Sequence, residues 1–198
     1  MAKRCFDFFC SIIALVLLSP LFLIVAIWIK SDSKGPVFFR QKRVGRNGIL
    51  FEIHKFRTMC MNTETFGQLT IGKDSRITSS GLFLRKSKVD ELPQLIDVFL
   101  GNMSLVGPRP EVPEFMDYYP EDIKKRVLSV RPGITDRASI EMVDENEVLG
   151  RYSEPRQAYI DVILPLKQKH YLDYVEKNNL AGDLKIIFDT ICKIIRNF

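Results

Sequence analysis

The 198-residue sequence has only two histidines, His54 and His170, and four cysteines, Cys5, Cys10, Cys60 and Cys192, with no Cys-x-x-Cys pair. So sparse a set of soft ligands argues against a zinc site and a disulfide framework, and it reads as free thiols in a reducing compartment. Any metal is then expected to be a hard cation held by carboxylates. There is no internal repeat, no low-complexity tract and no recognised nucleic-acid motif, so no nucleic acid is expected as a partner. The 29 Lys and Arg exceed the 24 Asp and Glu, a net charge of +5. Such a balance suits phosphate-bearing partners or an anionic membrane surface without choosing between them.

What the sequence holds in excess is an apolar run. From Phe8 to Ile29 only Cys10, Ser11, Ser19 and Pro20 interrupt it, and a helix needs roughly 20 such residues to cross the hydrocarbon core. Lys30-Ser31-Asp32-Ser33-Lys34 follows in place of a small-x-small site, which disfavours a cleaved signal peptide. Lys3 and Arg4 precede the run, and Lys30, Lys34, Arg40, Lys42, Arg43 and Arg46 come after it. Positive charge marks the cytoplasmic side, so both flanks claim that side. A straight span cannot satisfy both, whereas a helix that enters, bends at Ser19-Pro20 and returns can. Pro20 removes one backbone donor and its ring clashes with the carbonyl of Val16. Two arms of about 10 to 12 residues would each be roughly 15 to 18 Å long. Spanning helices also tolerate a proline kink, so spanning and re-entrant both stay open on these grounds.

The remainder, residues 35–198, reads as one cytoplasmic domain beside a membrane element at residues 1–34. Residues 36–41 and 49–57 alternate in part and are separated by Gly45, Asn47 and Gly48, a hairpin signal. Residues 60–78 are polar and aperiodic, and read as a loop. A short helix follows Ser79 and Ser80. Asp90 then fits the N-cap of a second helix, with Pro93 tolerated in its first turn and Gly101-Asn102 ending it. Pro120 to Val130, residues 155–177 and residues 180–196 carry helical periodicity. The fold class is therefore α+β, mainly α, with a small β hairpin and soluble or amphipathic helices.

One stretch is dense in chemistry. Arg85, Lys86 and Lys88 precede Asp90-Glu91, and Gly107-Pro108-Arg109-Pro110 follows. A carboxylate can attack phosphorus when a divalent cation and guanidinium groups neutralise the phosphate charge. Two prolines would hold the Arg109 fork in fixed geometry. Plainer readings stand beside these: Asp90 as a helix cap, Arg109 in a solvated turn, Lys55-Phe56-Arg57-Thr58-Met59 as a charge-protected edge strand, and Arg131-Pro132-Gly133-Ile134-Thr135 as a turn.

Taken together these strings resemble the bacterial sugar transferase family, the monotopic phosphoglycosyl transferases. The likeness covers the Ser19-Pro20 helix, Arg40-Gln41-Lys42-Arg43-Val44-Gly45 and Lys55-Phe56-Arg57-Thr58-Met59. It continues through Asp90-Glu91-Leu92-Pro93-Gln94-Leu95 and Gly101-Asn102-Met103-Ser104-Leu105-Val106-Gly107-Pro108-Arg109-Pro110, and ends at Arg131-Pro132-Gly133-Ile134-Thr135. After Thr135 many relatives continue Gly-Trp-Ala-Gln-Val, where this chain has Asp136-Arg137-Ala138-Ser139-Ile140. The resemblance implies a re-entrant membrane helix bent at Ser19 and Pro20, and a catalytic dyad of Asp90, the nucleophile, and Glu91. It implies Mg2+ held by these two carboxylates, and donor contacts from Lys55, Arg57, Arg85, Arg109 and Arg131. The implied reaction moves a sugar 1-phosphate from a UDP-sugar to undecaprenyl phosphate, releasing UMP through a covalent phosphosugar enzyme, as an early step of glycan assembly such as O-antigen or capsule. The implied location is the cytoplasmic face of the bacterial inner membrane, among its lipids, and a homo-oligomer is allowed. A membrane-anchored protein that only holds nucleotide sugar for partner enzymes is the rival reading.

Overall fold

The computed structural model describes residues 2–61, 74–142 and 145–196 of the chain. The expected loop at 60–78 therefore falls largely outside the described residues, as do Val143 and Asp144.

The apolar run forms one helix, α1 (Ala2–Asp32), assigned without interruption through Pro20. Pro20 leaves the Val16 carbonyl without its usual donor, and the Ser19 hydroxyl supplies one, donating to Val16 O at 2.8 Å. In a hydrocarbon surrounding, such a substitute bond is what lets a proline sit inside a helix. Residues at the middle of α1 are exposed, Val16 at 66% and Leu17 at 72%, while Asp7, Ser11, Val25 and Ile29 toward its two ends are buried.

Both ends are tied to the rest of the chain. After α1 come β1 (Phe38–Val44) and β2 (Leu50–Phe56), an antiparallel hairpin in which Phe38 faces Phe56 and Val44 faces Leu50. Its turn uses left-handed Asn47 and Gly48, at φ 57° and 79°. Beyond the hairpin, α2 (Ser79–Lys86) is capped by the Thr78 hydroxyl, which accepts from Gly81 N at 3.0 Å. Val25 and Ile29 pack against Phe56 and Leu84, and Asp32 accepts from Ser80 N and Oγ at 2.9 and 2.7 Å.

A short 3-10 turn (Val89–Glu91) leads into α3 (Gln94–Leu100), ended by left-handed Gly101 as expected. The start of this helix differs from the expectation. Its N-cap position is Pro93, with no side-chain cap, so Asp90 does not cap it. The first arm of α1 docks here and just beyond: Arg4 donates to Val98 O and Phe99 O at 2.6 and 2.8 Å, closing the open carbonyls of α3. Asp7 accepts from Ser104 Oγ and Leu105 N at 2.8 and 3.2 Å.

Ser104 belongs to β3 (Ser104–Val106), which pairs in parallel with β4 (Gly133–Thr135). Between them lie α4 (Pro113–Met116) and α5 (Glu121–Val127). After β4 come α6 (Arg137–Glu141), capped by Asp136, then α7 (Glu145–Leu149) and α8 (Pro155–Ala158). A π-type turn (Tyr159–Ile163) runs into α9 (Leu164–Lys177), and α10 (Leu180–Arg196) closes the chain. Phe115, Tyr119, Tyr159, Leu164 and Tyr171 form the main apolar core of this half. Lys3 at the start of α1 pairs with Asp183 of α10 at 2.5 Å.

Candidate active site

The site is assembled by two close approaches of backbone to backbone and one left-handed reversal between them. In the first, α2 lies directly on the residues after β2: a Cβ on Gly81 would sit 2.1 Å from Thr58 O. This brings Arg85 to Thr58, whose Oγ1 accepts from Arg85 Nε at 2.8 Å. In the second, the chain leaves α2 through Lys88 in the left-handed region, φ 58° and ψ 13°. A side chain there costs about 1 to 2 kcal/mol, and the reversal it creates sets Asp90 inward in the next turn. In the third, β3 against β4 places Gly107 against Gly133 and presents Arg109 to the same point.

At that point Glu91 takes two cations. Lys55 Nζ donates to its Oε1 at 2.8 Å, Arg109 Nη1 to its Oε2 at 3.1 Å, and Arg109 Nη2 also donates to Oε1. Burial alone would push the Glu91 carboxyl up, but the Arg109 and Lys55 charges outweigh it and hold the group well below the usual carboxylate range. The group therefore stabilises the fold above the ordinary glutamate range, and that contribution fades as pH falls through its depressed value. Asp90 is in the opposite condition. It is 9% exposed, and its Oδ1 is buried with no hydrogen-bond partner among the described residues. Burial and then the neighbouring Glu91 charge push its carboxyl up, opposed by Lys55, Arg85 and Lys88. One acid of the dyad is thus charged and saturated, and the other is held ready and open.

Five of the sequence-predicted residues converge: Lys55, Arg85, Asp90, Glu91 and Arg109. Arg57 does not join them. It is buried at 4% exposure, and its guanidinium donates to Pro36 O, Ser33 Oγ and Ser33 O at 2.7 to 2.9 Å, fastening β2 to the end of α1. Arg131 does not join them either: it donates to Gly101 O at 2.8 Å and has Arg4, Arg46 and Asp7 as its charged neighbours. Ser19 and Pro20 lie at the exposed middle of α1.

Two further residues, Arg43 and Gln94, bury a polar atom without a partner among the described residues, and the first of them lies among the charges of the site. Arg43 contributes a buried Nε without a partner among the described residues, and Glu111, Arg109 and Glu91 are among its charged neighbours. Gln94, 1% exposed, keeps a buried Nε2 unpartnered in the same sense. Period-two alternation along β1 was the available signal for Arg43: Arg40 and Lys42 are exposed while Gln41 and Arg43 turn inward. His54 is tied to α3, with Asp97 accepting from its backbone N at 2.9 Å and contacting its Nδ1 at 2.8 Å. Among the described residues there is no cluster of three or more His, Cys, Asp or Glu side chains that could hold a metal. The dyad offers two carboxylates, with Asp90 Oδ1 as the open acceptor.

The family model described as bacterial sugar transferase matches residues 1–197. A UDP-N-acetylgalactosamine-undecaprenyl-phosphate N-acetylgalactosaminephosphotransferase of Aeromonas hydrophila is 38% identical over 199 residues, covering 99% of this chain and 44% of that protein. An undecaprenyl-phosphate galactose phosphotransferase of Salmonella typhimurium is 40% identical over 211 residues, covering 98% of this chain and 40% of that protein. The chain thus spans less than half the length of these two relatives. It covers 92% of an exopolysaccharide production protein PSS of Rhizobium leguminosarum, to which it is 36% identical.

Proposed function

The chain belongs to the bacterial sugar transferase family, and on that footing we propose that it transfers a sugar 1-phosphate from a UDP-sugar to undecaprenyl phosphate, releasing UMP. The observation that carries this reading is the buried Oδ1 of Asp90, without a partner among the described residues, beside a glutamate already neutralised by Lys55 and Arg109. A partly desolvated carboxylate ringed by cations suits attack on a charged phosphorus, which an isolated carboxylate would be repelled from. In the first displacement an Asp90 oxygen bonds to the phosphorus that carries the sugar. The bond from that phosphorus to the UMP oxygen breaks, and its electron pair leaves with UMP. In the second, an oxygen of undecaprenyl phosphate attacks the same phosphorus and the Asp90 carboxylate departs. Lys55, Arg85 and Arg109 hold the diphosphate in line and neutralise it.

The donor set fits Mg2+, which is commonly bound by one or two carboxylates together with substrate phosphates and keeps several waters. Asp90 and Glu91 are the residues that would hold it. The ion would supply neutralisation of the diphosphate and of the departing UMP. Incubation of the membrane-reconstituted chain with a panel of UDP-sugars, Mg2+ and undecaprenyl phosphate should release UMP with at least one sugar. Excess chelator should take release to background, and added Mg2+ should restore it. Release that persists in chelator would remove the metal, and silence across the panel would end the transferase reading.

We further propose that α1 is re-entrant and that the rest of the chain rests on the cytoplasmic face of the inner membrane. Supporting this, the two ends of α1 are held by one folded unit, through Lys3, Arg4 and Asp7 at one end and Asp32 and Ser33 at the other. The middle of α1 is apolar and exposed. Its apolar surface continues onto neighbouring helices, where Phe83 of α2 lies 5.5 Å from Trp28 and Phe99 of α3 stacks at 5.4 Å on Phe8. Leu184, Phe188, Ile191 and Ile195 make a further exposed stripe on α10. With the four native cysteines replaced by serine, single cysteines introduced at Ala2 and at Lys34 should both react with an impermeant reagent from the cytoplasmic side only. Reaction of the two from opposite sides would replace the re-entrant arrangement with a span.

A further inference from the structure

Glu91 is the most committed acid in the site, and its partners are the cations that a diphosphate would need. Its two oxygens accept from Lys55 Nζ at 2.8 Å and from both terminal nitrogens of Arg109, while the adjacent Asp90 keeps a buried oxygen without a partner among the described residues. The three side chains are mostly enclosed: Lys55 is 17% exposed, Glu91 14% and Arg109 29%. Removing one partner from so enclosed a group leaves an uncompensated charge, which is strongly unfavourable. A divalent cation arriving alone at Glu91 would strand Lys55 and Arg109. A diphosphate arriving alone would draw off those two cations and strand Glu91. When both arrive, the partners exchange: Lys55 and Arg109 pass to the phosphates, Glu91 passes to the metal, and no charge is left unpaired.

We propose that Glu91 is an electrostatic latch, whose ion pairs with Lys55 and Arg109 oppose either ligand alone and make the nucleoside diphosphate and the divalent cation bind as a coupled pair. This rests on the transfer reading given above. The latch differs from a glutamate that is simply a standing metal ligand, because it competes with the phosphates for two named cations even when no metal is present. It also ensures that Asp90 meets a diphosphate only when that diphosphate arrives with its neutralising metal. By linkage, each ligand must tighten the other by the same factor.

The test uses the full chain in nanodiscs and UDP as the probe, since UDP has no sugar to transfer. Titration calorimetry in chelator should show Glu91→Gln binding metal-free UDP at least about tenfold tighter than the unchanged chain, a typical coupling magnitude. The gain on adding Mg2+ should shrink correspondingly. Asp90→Asn also removes a negative charge from the dyad but frees neither cation, so its metal-free gain should be clearly smaller. An unchanged UDP affinity in Glu91→Gln, or equal gains in the two variants, would overturn the latch.

Glu91→Gln leaves two enclosed cations with a weaker partner and can fail to fold, so Lys55→Met approaches from the other side. Its nucleotide-free binding of Mn2+, read by electron paramagnetic resonance, should tighten more than in Lys88→Met, which removes a neighbouring charge whose ammonium makes no hydrogen bond to Glu91 among the described residues. Equal Mn2+ affinities in the two would also overturn the latch. Absence of UDP binding to the unchanged chain even with Mg2+ present would overturn the transfer reading and the latch with it. Binding that fails only the comparisons above overturns the latch alone.

Discussion

Asp90→Asn is expected to give a folded protein that releases UMP at least about a thousandfold more slowly than the unchanged chain, the scale seen when a nucleophile is removed. In the sequence this residue has two competing roles, helix cap and nucleophile, and they make different demands. A cap tolerates Asn, which accepts the same backbone bond. The structure leaves that role empty, because α3 begins at Gln94 with Pro93 at its cap position, and the Asp90 Oδ1 has no partner among the described residues to lose. Stability should therefore hold or rise slightly. Burial and the Glu91 charge raise the Asp90 pKa, so the folded state favours the protonated form, and the ionised form costs stability as pH rises past the ordinary aspartate range. A neutral amide removes that cost. The same shift fixes the acid limb of the rate: if the ionised form attacks, turnover falls as pH is lowered through a value above that of an ordinary aspartate. With UDP-sugar and no lipid acceptor, mass spectrometry should find one sugar phosphate on the peptide containing Asp90, removable by hydroxylamine and absent in Asp90→Asn. Undiminished turnover without the adduct would transfer the role to another group.

Most of what the sequence made legible lies where local pattern and tertiary placement agree. The hairpin followed from alternation broken by Gly45, Asn47 and Gly48, although the first strand runs on to Val44. The apolar run predicted α1, and Gly101 predicted the end of α3. The dyad and Arg109 were found through their motif, not through periodicity. Arg57 stands two residues after Lys55, but β2 ends at Phe56, and beyond it the guanidinium goes to Ser33 and Pro36, a placement the motif string does not show. The acids of α1 carried no visible signal. Asp7 sits near the start of an apolar run and looked incidental, yet it is 2% exposed and receives two hydrogen bonds from β3. Its partner is distant in sequence, and no window of local pattern contains both. The β3–β4 pair was hidden for a similar reason: strands of three residues are too short to show a period, and their pairing joins segments far apart in the chain.

That hidden pairing gives the second large effect, at Gly133. The string Arg131-Pro132-Gly133-Ile134-Thr135 reads as an ordinary turn, but its glycine lies against another backbone. A Cβ on Gly133 would stand 2.1 Å from Gly107 N and 2.5 Å from Gly107 O, and a Cβ on Gly107 would stand 2.5 Å from Arg131 O. Backbone atoms cannot move aside as a side chain could, so Gly133→Ala must spread the two strands. The hydrogen bonds that span the contact include these three: Ser104 N to Pro132 O at 2.8 Å, Gly133 N to Pro108 O at 2.9 Å and Gly107 N to Thr135 O at 3.1 Å. Spreading weakens all three and carries Arg109, two residues beyond Gly107, away from Glu91. The expected cost is about 3 kcal/mol, at the upper end for an overpacked site, which corresponds to a fall in melting temperature of about 6 to 12 °C for a chain of this size. UMP release should drop further than the folded fraction does, because the remaining folded molecules have a displaced Arg109. Gly182→Ala is the matched control. Its added Cβ meets only the Asn179 side chain, at 3.5 Å or more, in α10, so helix propensity should leave it neutral or better by up to about 1 kcal/mol. Differential scanning fluorimetry and UMP release on both variants decide the matter. Should Gly133→Ala behave like Gly182→Ala, the close approach of β3 and β4 is not what places Arg109, and its position must come from Pro108, Pro110 and the ion pair with Glu91 alone.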